Sequence, residues 1–129
     1  MVAGAPAGGA PRGAAMLLAM RQFGGSLNED ERNPVVGTVV EELLGGDPER
    51  VLIFILNLSA NTVHVGLRET VSSTNGILLA ASGGNVSFNA VEDGTLPTRQ
   101  FFVVSTAAAS QLYVLTLRRE TQPTGDEIL

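Results

Sequence analysis

Residues 51–67, VLIFILNLSANTVHVGL, limit the folds open to this chain more than any other stretch. Residues 51–56 are apolar without interruption, as expected of a central strand covered on both faces. Asn57 to Thr62 is turn chemistry, with Asn57 placed to end its strand through a side-chain bond to the following backbone. Beyond it Val63, Val65 and Leu67 alternate with His64 and Gly66, the pattern of a half-buried antiparallel strand.

Further short strands are predicted on both sides of this pair. Residues 35–44, VVGTVVEELL, contain four valines and Thr38, which favour one strand over the helical stripe that Val36, Val40, Leu43 and Leu44 could also form. Residues 77–81, 86–90, 101–105 and 112–117 complete a set of seven. Gly45-Gly46-Asp47-Pro48, Asn75-Gly76 and Gly83-Gly84 supply turns between them. No segment is long enough for the crossover helices of a parallel sheet. The expectation is an all-β fold, a single antiparallel β-sandwich or jelly-roll-like domain.

That domain is expected over residues 34–119, with an N-terminal arm over 1–33 and a polar tail over 120–129. Residues 1–13 are almost entirely Ala, Gly and Pro, a composition costly to order. Residues 14–23 then carry Met16, Leu17, Leu18, Met20 and Phe23. Met16, Met20 and Phe23 fall at i, i+4 and i+7, one face of a short helix. Such a segment either packs on its own domain or anchors the arm to a neighbour. Residues 28–32, NEDER, are expected to be a solvated charge run.

Composition excludes several function classes. The chain lacks cysteine, so thiolate metal sites and disulfides are ruled out. Its net charge of −5 argues against nucleic acid as a partner. No apolar run reaches the length of a membrane-spanning helix. A folding unit of about 90 residues buries only roughly 60–65% of its unfolded surface, so self-association would add useful burial.

Residues with chemical potential are sparse. His64 is the single histidine and lacks a nucleophile motif, which points to a surface or interface role. Glu41-Glu42 and Glu92-Asp93 could act as paired carboxylates or calcium ligands, but neither has the acidic spacing of a calcium loop. Asn57-Leu58-Ser59 and Asn85-Val86-Ser87 match a glycosylation acceptor pattern that short sequences produce by chance. No catalytic, cofactor or metal site is expected.

One succession runs from Asp47-Pro48-Glu49-Arg50 through residues 51–56, Asn57-Leu58-Ser59 and Val63-His64-Val65-Gly66. It continues with Ser72-Ser73-Thr74-Asn75-Gly76, Ile77-Leu78-Leu79-Ala80, Gly83-Gly84, residues 86–88 and residues 112–117. This succession resembles small β-sandwich structural proteins of tailed-bacteriophage virions: capsid decoration (cement) proteins and minor head or tail components. The resemblance covers about two-thirds of the chain and consists of structural residues. It implies a non-enzymatic virion protein on the capsid surface, bound to the major capsid protein and to itself, with a homotrimer expected. The arm would supply contacts through Met16, Leu17, Leu18, Met20 and Phe23, while Arg12, Arg21 and Arg32 would pair with acidic groups on the shell. The competing expectation is a receptor- or carbohydrate-binding module of a tail or fibre.

Overall fold

The computed structural model describes residues 27–120. They form nine strands: β1 (Leu27–Arg32), β2 (Val35–Val36), β3 (Glu41–Leu44), β4 (Arg50–Asn57), β5 (Val63–Gly66), β6 (Ile77–Leu79), β7 (Asn85–Asn89), β8 (Phe101–Ser105) and β9 (Ser110–Arg119). One sheet runs β1-β9-β4-β7, with β2 also on β9, and the other runs β3-β8-β5-β6. Every pairing is antiparallel. From β2 onward, each connection except β5–β6 passes between the sheets, as in a jelly roll. The all-β sandwich expected from the sequence is the observed architecture.

Two local expectations are corrected. Residues 28–32 are solvent-exposed as expected, but they lie inside the domain as most of β1, paired along β9 from Leu27–Arg119 to Arg32–Val114. Their charge places them at an edge, where acidic side chains keep the free backbone groups from pairing with other chains. The predicted strand over 35–44 is two strands in different sheets. β2 pairs with β9 and β3 with β8, and the chain changes sheets around Gly37, whose carbonyl accepts from Ser105 N at 2.9 Å. This crossover puts β3 on the same side of the sandwich as β1 and β2, leaving β6 and β7 together on the other side.

The core lies between the sheets. Ile53, Ile55, Leu112 and Val114 from one side meet Leu44, Val63, Val65, Leu79, Phe101 and Val103 from the other, all at 1% exposure or less. Phe88 stacks on Phe101 with ring centroids 5.5 Å apart.

At one end the sandwich is fastened by Asn57, which is fully buried. Its Nδ2 donates to the carbonyls of Asn61, Leu79 and Ala80, while its Oδ1 accepts from the backbone N–H and hydroxyl of Ser59. Its backbone N–H donates to Gly84 O and its carbonyl accepts from Gly83 N. The strand-ending bond expected of Asn57 is present, and the same side chain also ties the β4–β5 turn to the β6–β7 turn. Gly84 has to be glycine, because a Cβ there would sit 2.2 Å from the backbone nitrogen of Ala80.

Asn57→Asp would point a carboxylate oxygen at three carbonyl oxygens. The expected loss is about 3 kcal/mol or more of unfolding free energy, measured by urea denaturation, with Asn57→Ala less severe than Asp.

Candidate functional site

Of the residues assigned to arm contacts, Met16, Leu17, Leu18, Met20, Phe23, Arg12 and Arg21 lie outside the described residues. Arg32 lies within β1, and its Nε donates to Asp30 Oδ2 at 3.2 Å. Both side chains are more than half exposed, so this pair is worth little and would yield readily to a stronger acidic partner.

Of the surface and interface expectations for His64, the surface one is corrected. His64 is 5% exposed, not a surface residue, because the segment after β5 folds back across that face of its sheet. Val71, 3% exposed, packs on Gly66, where a Cβ would lie 3.1 Å from it. Gly76, with φ of +148°, lets the same segment close against Val71. His64 lies in an open depression of about 440 Å³ lined also by Thr38, Ser72, Ser73 and Thr106. No carboxylate or activated nucleophile lines that depression, so it holds no acid–base pair.

The acidic pairs resolve into structural roles. Glu41 and Glu42 are both exposed on β3 and stand opposite Val103 and Phe102, so they point to opposite faces of the sheet and form no joint site. Glu42 accepts from Gln100 Nε2. Asp93 Oδ2 accepts from Asn89 N at 2.8 Å, and Asn89 Oδ1 accepts from the backbone of Val91 and Glu92, which folds the loop on itself. Among the described residues, no three His, Cys, Asp or Glu side chains converge to hold a metal. No described helix is long and apolar enough to cross a membrane.

The end of the sandwich opposite Asn57 carries a charged cluster that the sequence did not single out. Arg50, 6% exposed, donates from Nε to Pro97 O and from Nη2 to the carbonyls of Gly45 and Arg99, each at 2.8 Å. Burial lowers its pKa, and the nearby Asp47 works against that shift. Asp47 receives Arg118 through both oxygens, at 2.9 and 3.2 Å, and Glu49 N at 3.0 Å. The Arg118 bond chiefly holds Asp47 below the usual carboxylate range, against the opposing effect of burial. Arg119 meets Glu49 at 3.1 Å. The only sequence signal for this cluster was the Asp-Pro-Glu-Arg turn, whose arginine could equally have pointed to solvent. Beside it, a largely apolar cavity of about 310 Å³ opens between Val65, Ile77, Phe88, Leu96 and Phe101.

The outer face of the β4–β9 pair is apolar. Leu52 stands opposite Leu117, Phe54 opposite Leu115 and Leu56 opposite Tyr113, all half-buried on the side away from the core. Phe54 and Tyr113 meet edge to face at 6.3 Å. Tyr113 donates its hydroxyl to Glu31 at 2.8 Å, which raises its pKa. Phe54 and Tyr113 thus both face outward. At the Asn57 end, exposed Val35 and Leu58 flank Gln111 and extend the row.

No family model matches the chain, and no curated protein matches it. A solved structure described as "Bacillus endospore appendages form a novel family of disulfide-linked pili" is similar at 13% identity. It has a TM-score of 0.49, with 74% of this chain and 88% of that one covered.

Asp47 has a depressed pKa when folded, so its contribution to stability is complete above the unfolded carboxylate pKa of about 4 and disappears as pH falls through the lower folded value. Asp47→Asn should therefore flatten the acid limb of stability below about pH 4 and lower stability at neutral pH, as read from unfolding midpoints across that range.

Proposed function

We propose that this chain is a non-enzymatic structural protein of a tailed-phage virion. In this reading it is a capsid decoration protein that binds the major capsid protein and stabilises the head shell as a homotrimer. The supporting observation is the charge asymmetry of the sheet edges. On one side of the sandwich, β1 and β3 carry Glu29, Asp30, Glu31, Glu41 and Glu42, all exposed. On the other, β6 and β7 carry no charge, and Leu78 on β6 is 59% exposed. Edges without charge, proline or cover are the ones left able to pair.

Because both unguarded edges share one side, three copies can turn that side toward a common axis, β6 of each meeting β7 of the next. Such a heterologous contact closes into a ring and keeps the acidic sides apart. The resemblance in residues 47–117 supplies the virion setting, and a repeating shell rewards many small contacts through avidity.

A receptor- or sugar-binding role is the second reading, favoured by the outward Phe54–Tyr113 pair. The edge-to-face geometry gives that pair no shared flat platform. Clear hits on a glycan array would put this reading first.

Leu78→Glu should reduce the oligomer to monomers in sedimentation while leaving the thermal transition nearly unchanged. An unaffected mass would remove the β6 edge from the interface. In purified particles, the expected copy number is close to that of the major shell protein. A few copies per particle would favour a tail or portal component, and absence would overturn the virion reading.

A further inference from the structure

Antiparallel sandwiches ordinarily turn apolar side chains inward and polar ones outward. The β4–β9 pair does not. Leu52, Phe54, Leu56, Tyr113, Leu115 and Leu117 form three directly opposed pairs on the outer face, and no element of the described residues lies over them. An apolar area of this kind marks a surface that something covers.

The start of the described chain is close to this face. Leu27 pairs with Arg119, two positions from Leu117, so Leu27 points to the same outer side. Twenty-six residues precede it, and the apolar cluster at 14–23 is separated from it only by Gly24-Gly25-Ser26. Phe23 can lie up to about 14 Å from Leu27, whereas β9 and β4 are about 5 and 10 Å from β1. A helix over residues 14–23 would be about 15 Å long, and the stripe from Leu52 to Leu56 spans about 14 Å. Glu29 and Glu31 on β1 stand beside Leu117 and Leu115, on the flank where Arg21 could meet them.

We infer that residues 14–23 of the same chain lie lengthwise across the outer face of β4 and β9. Phe23 sits nearest the Leu52–Leu117 pair, Met20 near Phe54–Leu115 and Met16 nearest Leu56–Tyr113. The short tether favours this over the arm of a second copy, because it holds the segment at high effective concentration beside its own sheet. The inference does not depend on the virion reading and can fail or stand without it.

The absence of cysteine makes the test clean. Full-length double variants are oxidised at low concentration, and intramolecular disulfides are read by non-reducing electrophoresis and mass spectrometry. Met16→Cys with Leu56→Cys is the decisive pair, since these positions lie at the end of the segment farthest from the tether. It should close within one chain, whereas Met16→Cys with Leu78→Cys, on the other sheet, should not. Adding Met20→Ser and Phe23→Ser, which leave the sandwich itself untouched, should abolish the Met16–Leu56 disulfide. Equal closure of both pairs, no closure of either, or cross-links formed only between two chains would each overturn the inference, the last in favour of exchanged arms.

Discussion

The antiparallel register between β4 and β9 determines both what this sandwich buries and what it leaves outside. It aligns Ile53 with Thr116 and Ile55 with Val114 on the inner side, and Phe54 with Leu115 on the outer side. A slip of one residue would exchange the two sets. Because both faces of β4 are apolar, hydrophobic pattern alone defines this register weakly. The buried hydrogen bonds of Asn57 at one end of β4 and of Arg50 at the other supply the missing specificity. Each can be satisfied only if β4 is in place relative to the turns it holds.

These two residues act differently. Asn57 is neutral and joins two turns through three carbonyls, so its loss costs hydrogen bonds that the geometry cannot replace. Arg50 brings a charge inside, offset by three carbonyl dipoles and by Asp47 nearby. Removing such partners is costly even where an apolar replacement for the whole arrangement would not be. The charged cluster around Asp47 then fixes the position of the β3–β4 turn and with it the spacing of the two sheets at that end.

Fold class was legible because alternation and turn residues repeat along most of the domain. The strand ending at Asn57 followed from local pattern. What escaped was non-local. The acidic β1 has no apolar face, and only its long pairing with β9 makes it a strand. Gly37 gave no sign that the chain changes sheets there. The burial of His64 depends on Val71 closing over Gly66, a contact between a loop and a strand that spacing does not encode. The double-sided apolarity of β4 was read as a strand covered on both faces, and the described residues cover only one.

That mismatch separates two tasks that a small sandwich must perform. An uncovered apolar face invites indiscriminate association, while an uncharged edge invites pairing in a defined register. If the chain covers its own face, association is left to β6 and β7, where backbone hydrogen bonds dictate geometry. The acidic β1 and β3 then exclude the opposite side by repulsion. A body built this way could remain soluble as it is made and still assemble in one orientation, with the arm controlling exposure and the edges controlling symmetry.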